Sequence, residues 1–370
     1  MDIPPNQAQF IAHHRHSFFC PYCHTVTEGT FPNHISQKIQ YGPRITAYVA
    51  YLSIFQLIPV KRLTQILYDL HGCHISQGTV INMINRMSSN LEEFTDHTRD
   101  LLIASSVIHT DETGMKVGKV KFWLHVVSTK TLTLYGIFQR RGREGIDELG
   151  VLPSFFGIAV HDFWESYLKY PCKHAYCNAH ILRELTRVEE ETHQQWAVKM
   201  RTLLVQAKKT AEIFAEKGKI VPNILLKHFD ERYAELIAEG LDANPPPDRI
   251  VGTQGKVKKT HSRNLLERLQ AHQDEILRFL HDLQVPFDNN LAERDIRMPK
   301  LKMKISGLFR SEEGAMAFSR IRSYVSTMQK NDLSVIDGLM KAAIGDPWMP
   351  DGTHICYFGK SDIHLGLAYA

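Results

Sequence analysis

Between residues 101 and 162 the apolar pattern stops recurring every three or four positions and breaks into four short runs. They are LLIASSVIHTD, KFWLHVVST, TLTLYGIFQ and GIAVHDFW, and the first and last reach an aspartate. Short apolar runs rich in β-branched and aromatic residues, bounded by polar or turn-like text, read as strands. The first three are closely spaced and predict an antiparallel meander. A helix over 144–152 separates them from the fourth. Amphipathic helical sequence lies on both sides of the block, so the expected class is α/β.

The two aspartates are Asp111, in HTDETG, and Asp162, in GIAVHDFWESY. On a strand the side chains alternate, so Asp111 shares a face with His109 and Val107, while Glu112 points the other way with Thr110. If strands one and four lie side by side, Asp111 and Asp162 converge and can share a metal. Read alone, either carboxylate also fits a solvated turn at a strand end.

A third landmark is PFDNNLAERDIRMPKLKMKISGLFRSEEGA, residues 286–315. A helix is expected to start at Asp288 or Asn289 and to end before Pro299, because proline lacks the amide donor a helix interior needs. Glu293 falls in its first or second turn. NLAE at 290–293 also has the spacing of a capping box, in which Glu293 would reach back to a backbone amide. Beyond it come Arg294, Arg297, Lys300, Lys302, Lys304 and Arg310 against one acid, Asp295. A strip so one-sided suits a phosphate backbone. Three carboxylates beside such a strip suit metal-assisted phosphodiester chemistry. Hard divalent ions take oxygen ligands, and in two-ion sites they lie about 3.5–4 Å apart.

The net charge of +4 permits a polyanionic partner without demanding one. Six cysteines in 370 residues are too sparse for a disulfide framework. No secretory leader and no apolar stretch long enough to span a bilayer occur, so a cytoplasmic location and no membrane partner are expected. Residues 42–100 read as helices. One stops at Gly72, the next is capped by Ser76, and GCHIS joins them in a helix-turn-helix-like pair, which packed helices without DNA contact would match equally. Residues 174–285 are again helical, interrupted by LDANPPPDRIVGTQGKVKKTHSR, a proline-broken basic loop. Near the front, CPYC offers Cys20 and Cys23 as two thiolates of a candidate zinc knuckle. A closed tetrahedral site needs four ligands, and His14, His16 and His24 are the nearby donors.

Taken together, HTDETG, GIAVHDFWESY followed by HAYCNAHILREL, the NNLAERDIRMPKLKMKISGLFRSEEGA block and the helical stretch YGPRITAYVAYLSIFQLIPVKRLTQILYDLHGCHISQGTV resemble the transposases of the insertion sequence 66 family. The resemblance covers roughly residues 10–350. It implies a DDE-class enzyme with a ribonuclease-H-like mixed sheet and flanking helices. An all-helical insertion would interrupt that core, and a helix-turn-helix-like domain would precede it. The implied plan is a partial zinc-ribbon remnant at 1–34, a helical region at 35–100, core halves at 101–173 and 286–345 around an insertion at 174–285, and a tail at 346–370.

The same resemblance implies Asp111, Asp162 and Glu293 as catalytic ligands of two Mg²⁺ or Mn²⁺ ions, and DNA along the basic strip. Cys177 and His180 of CNAH match a Cys-x-x-His that several transposase families carry after their second aspartate; a structural or positioning role is expected for them, not a metal site. Transposon ends and target DNA are the implied substrates, with a homo-multimer on paired ends and accessory proteins of the element. Family members resemble a longer protein with a coiled coil and a zinc ribbon ahead of the helices, whereas here Met1 falls inside the ribbon. A truncated, non-catalytic DNA-binding derivative and a metal-dependent nuclease remain the alternatives.

Overall fold

The computed structural model describes residues 8–32, 35, 38, 40–246 and 259–352. Most of the basic loop after Pro246, the tail from residue 353 and the first seven residues lie outside the described residues. The chain divides into two compact units: the described residues of Met1–Thr95 with Lys304–Met349, and those of Asp96–Met303 with Pro350–Ala370.

In chain order a small hairpin comes first, β1 (Ser17–Phe19) against β2 (Val26–Glu28), with Cys20 and Cys23 in its turn. Then follow α1 (Pro43–Ala50), α2 (Val60–His71), α3 (Gln77–Asn90) and α4 (Glu92–Ile103). The strands β3 (Val107–Val117), β4 (Val120–Ser128) and β5 (Thr133–Phe138) precede α5 (Arg143–Leu149), β6 (Ile158–His161) and β7 (Lys173–Tyr176). Five helices come next: α6 (Asn178–Thr192), α7 (Gln195–Glu216), α8 (Asn223–Ala243), α9 (His261–Ala271) and α10 (Gln273–His281). The described part closes with α11 (Asn290–Ser306), α12 (Glu312–Lys330) and α13 (Val335–Ala343).

In the first unit the expected helix boundaries hold. α2 stops at Gly72, whose φ of 66° is the left-handed conformation glycine tolerates. The Ser76 hydroxyl accepts the Thr79 amide at 3.0 Å and starts α3. α12 is buried along most of its length. Tyr324 on α12 meets Phe94 edge-on at 4.8 Å and donates its hydroxyl proton to the Gly338 carbonyl at 3.1 Å. Gly338 is closely packed there: a Cβ would fall 2.4 Å from the Met328 methyl carbon and 3.2 Å from the Tyr324 hydroxyl.

The second unit is built on a five-stranded mixed sheet ordered β5-β4-β3-β6-β7. β3, β4 and β5 form the antiparallel meander, while β6 runs parallel to β3 and β7 parallel to β6. The register Val107↔Ile158, Ile108↔Ala159, His109↔Val160 makes the first and fourth expected strands neighbours. Side-chain alternation then gives two cores. Ile158 and Val160 face a helical layer that includes Ile181, Leu185, Trp196, Tyr233, Leu266 and Ile276. Ile108 and Ala159 face the opposite way, toward Leu134, Ile146, Leu152, Phe155 and Tyr167.

Three local expectations are corrected. β7 falls at the start of the stretch read as helix; four residues, KHAY, are too few to show a period. β3 continues to Val117, so Asp111 sits inside the strand and not at its end; the polar text after it is a two-stranded extension paired with β4 as far as Val120. And α11 runs through Pro299 to Ser306. Proline removes the hydrogen bond to the carbonyl four residues earlier, which is that of Asp295. Here the Tyr135 hydroxyl donates to that carbonyl at 2.9 Å, replacing the missing amide.

Candidate active site

Asp111 follows Val107 and His109 on one face of β3, and Asp162 follows Ile158 and Val160 on the same face of β6, one residue beyond its last paired position. The pairing of β3 with β6 ends at His109↔Val160, so the two aspartates stand where the strands part. Asp111 senses the Asp162 charge. Burial first, then the Glu112 charge and, less strongly, that of Asp162 push the Asp111 carboxyl up to about 7, opposed by the hydrogen bond from the Glu112 amide and by the Lys300 charge. Asp111 accepts that amide at 2.8 Å, and Asp162 accepts the Trp164 amide at 3.0 Å.

Glu112 points to the other face, as the alternation requires. Its side chain is 3% exposed, pairs with Arg141 at 2.8 Å and accepts the Tyr167 hydroxyl. Burial raises its carboxyl, opposed by those two hydrogen bonds. Arg141 is in turn layered between Trp123 and Trp164, 4.7 and 4.3 Å from their ring centres. Glu112 therefore ties β3 to the segment after β6 and is a framework residue.

Glu293 lies on the first turn of α11 and does not close a capping box. The Asn289 amide donates to Cys177 Sγ at 3.2 Å and the Asn290 amide to Asp288 Oδ1 at 3.1 Å, so the backbone donors such a box would use are engaged elsewhere. Glu293 Oε1 instead lies 3.8 Å from Cys177 Sγ, 3.8 Å from His180 Nδ1 and 3.9 Å from an Arg183 nitrogen. Among the described residues, the set of three His, Cys, Asp or Glu donors whose ligand atoms all lie within 4.8 Å of one another is Cys177, His180 and Glu293. Asp111, Asp162 and Glu293 are not drawn together to that degree. Cys177 is fully buried, and burial pushes its thiol up to about 11.

One residue links these groups. Asn289, 2% exposed, donates its side-chain amide to the Thr110 carbonyl at 2.9 Å, and its Oδ1 lies 2.9 Å from His109 Nδ1. Its backbone amide reaches Cys177, whose own amide donates to the His161 carbonyl at 2.9 Å. The start of α11 is thus bonded to β3 beside Asp111, and through Cys177 to β6 beside Asp162.

With that geometry in hand, the family comparison is decisive: the sequence pattern of the family described as "Transposase IS66 family" matches residues 38–317. The chain belongs to the IS66 transposase family. Asp111, Asp162, Cys177, His180, Asn289 and Glu293 all lie inside the matched segment. A curated relative, the uncharacterized protein y4hP of Sinorhizobium fredii strain NGR234, is 21% identical over 374 residues, covering 89% of this chain. The chain spans 64% of that relative's length.

On this IS66-family chain the basic strip is mostly surface. Arg294, Arg297, Lys300 and Lys304 are exposed and recur every three or four residues along α11, so they share one face. Lys302 is the exception: it is half-buried, and burial lowers its ammonium. Arg310 is exposed beyond the helix end. In the β1–β2 turn, Cys23 is exposed and its sulfur lies 2.9 Å from Thr25 Oγ1, which pulls the thiol down to about 7. Among the described residues, no third His, Cys, Asp or Glu ligand atom joins Cys20 and Cys23 within 4.8 Å. No described helix is long and apolar enough to cross a membrane.

Sequence reasoning missed Asn289, Arg141 and Tyr167. The doubled asparagine after PFD was the only trace of the first. Arg141 and Tyr167 bond to an acid 29 and 55 residues away, which no local pattern encodes.

Proposed function

We propose that this IS66-family chain is a DDE transposase, or the larger part of one, that cuts DNA at transposon ends and joins the freed 3′-hydroxyl to target DNA. The observation that carries the reading is the pair Asp111 and Asp162, on one face of adjacent parallel strands and close enough for one charge to raise the other's pKa. The strand order, with an antiparallel meander continued by two parallel strands, supports a ribonuclease-H-like core interrupted by α6–α10. The second half of that core, expected over 286–345, contributes α11 as far as Met303 to the same unit.

The donor set fits hard divalent cations. A buried carboxylate raised by its burial and by neighbouring carboxylates lacks compensating positive charge, and oxygen ligands of this kind suit Mg²⁺ or Mn²⁺. Asp111, Asp162 and Glu293 would hold such ions, which when bound acidify a water or hydroxyl and stabilise a leaving oxygen. The chain's own contribution is positional. Asn289 fixes the turn that carries Glu293 to β3, Glu112 and Arg141 brace β3 from behind, and the α11 cations bind phosphates. A homo-multimer on paired ends, accessory proteins of the element and a place in the bacterial cytoplasm or nucleoid go with this reading.

Incubation of the full chain with end-bearing DNA and Mg²⁺ tests it. Cut and joined strands are expected, and Asp111→Asn, Asp162→Asn and Glu293→Gln should each abolish both. Activity retained in any variant removes that residue from the role. Hydrolysis without joining on any DNA would make the chain a nuclease, and salt-sensitive binding without cutting a DNA-binding derivative.

A further inference from the structure

The Cys177, His180 and Glu293 cluster is unlike the aspartate pair in chemistry. A thiol and an imidazole are poor ligands for Mg²⁺ and good ones for borderline ions such as Zn²⁺. We propose that Cys177 Sγ, His180 Nδ1 and Glu293 Oε1 form a second metal site, for Zn²⁺ or a similar thiolate-preferring divalent ion, with the fourth position open. The proposal goes beyond the strand-transfer reading and does not depend on it.

Three observations carry it. First, the spacing fits. A tetrahedral ion with bonds of about 2.0–2.3 Å places its ligand atoms roughly 3.3–3.8 Å apart, and Glu293 Oε1 is 3.8 Å from both Cys177 Sγ and His180 Nδ1. Second, His180 Nδ1 is buried and has no hydrogen-bond partner. A buried ring nitrogen without a partner is costly, and a metal supplies one. Third, the outer contacts suit a bound thiolate. The Asn289 amide donates to Cys177 Sγ at 3.2 Å, and Asn289 is itself anchored to Thr110 and His109. Such second contacts orient a metal ligand and help hold its negative charge.

The fold explains why these three meet. Cys177 is the N-cap of α6 and His180 lies in its first turn, so both point from the same helix end. Glu293 comes from the first turn of α11, 116 residues after Cys177. On metal binding the Cys177 proton passes to solvent, and the ion's two positive charges are balanced by thiolate and carboxylate. Arg183, 3.9 Å from Glu293 and largely exposed, can swing away. A carboxylate has two oxygens. Oε1 in this cluster leaves Oε2 for an ion held with Asp111 and Asp162, so the second site would lock Glu293 in place for the first.

Cobalt titration of the full chain tests the proposal, because tetrahedral thiolate-bound Co²⁺ shows a near-ultraviolet charge-transfer band and intense visible bands. Cys20→Ser with Cys23→Ser removes the thiol pair of the β1–β2 turn and is the background throughout. The expected result is about one Co²⁺ per chain with both bands, displaced by equimolar Zn²⁺ but not by excess Mg²⁺. Cys177→Ser should abolish the charge-transfer band. Because Cys177 is buried and its variant can misfold, His180→Gln, at a half-exposed position, is the second arm; it should weaken Co²⁺ binding at least tenfold with an unchanged circular dichroism spectrum. No charge-transfer band in the folded background protein, or bands unaltered by His180→Gln, overturns the proposal. Neither outcome depends on DNA cleavage, so failure here and failure of the transposase reading are separately visible.

Discussion

Asp111→Asn should stabilise the metal-free protein, and the size of the gain follows from the site. Burial and the charges of Glu112 and Asp162 move the Asp111 carboxyl from 3.8 to about 7. The folded-state value is the higher one, so the unfolded chain gives up its proton first. Folding therefore loses stability as pH rises from about 4 through about 7 and levels off above. At about 1.4 kcal/mol per pH unit the full loss is about 4 kcal/mol. Asparagine keeps the oxygen that accepts the Glu112 amide and carries no charge. In EDTA the variant should exceed the wild type by about 4 kcal/mol at pH 8, about 2 at pH 5 and under about 1 at pH 4. Guanidinium unfolding followed by tryptophan fluorescence reads this unit well, since Trp123, Trp164 and Trp196 all lie within it. Saturating Mg²⁺ should close the gap by stabilising the wild type alone. Superimposable unfolding curves at pH 8, or a difference that does not shrink on acidification, would show that Asp111 is not held against uncompensated negative charge, and the metal-site reading would lose its main support.

Other consequences are open to direct measurement. Tyr135→Phe withdraws the donor that serves the Asp295 carbonyl across from Pro299, and should cost about 1–2 kcal/mol in the same unfolding assay. His161, fully buried and pulled down to about 3 by its burial, stays neutral in the folded state while the unfolded chain protonates it below about 6.5. Stability should thus fall as pH drops from about 6.5 toward 3, and His161→Gln should flatten that limb by up to about 1.4 kcal/mol per pH unit. Arg297→Gln and Lys300→Gln, on the exposed face of α11, should each weaken DNA binding and reduce the slope of log affinity against log salt by about one. An unchanged slope would remove the residue from the phosphate contacts.

What the sequence disclosed was what short-range pattern controls. Gly72 and Ser76 mark helix ends through their own backbone and side-chain chemistry, and both do so in the structure. The meander and the adjacency of β3 and β6 follow from runs of apolar residues that need two covered faces. The outward turn of Glu112 from Asp111 needs only the strand's two-residue period, and its pairing with Arg141 and Tyr167 agrees. β7 was hidden because four residues are fewer than any period requires. Membership of the IS66 family was legible because its motif blocks are long, whereas the partners of each motif residue were not.

Glu293 and Pro299 show what those hidden partners have in common. NLAE predicts a local cap and Pro299 predicts a helix end, and each prediction is sound for a helix standing alone. Both fail because the groups concerned are completed from distant elements: the Asn289 backbone amide donates to Cys177 and its side-chain amide to Thr110, and the Asp295 carbonyl accepts a hydrogen bond from the hydroxyl of Tyr135, 160 residues earlier. Each departure gives α11 a fixed bond to the sheet. Asn289 pins its first turn beside the aspartate pair, and Tyr135 pins the turn that Pro299 would otherwise open. On the proposed reading, in which the N-terminal carboxylate of α11 joins two strand aspartates while its outer face holds exposed cations along the next three turns, such anchors serve both points. The positions where local rules break on α11 are the ones that set where Glu293 stands.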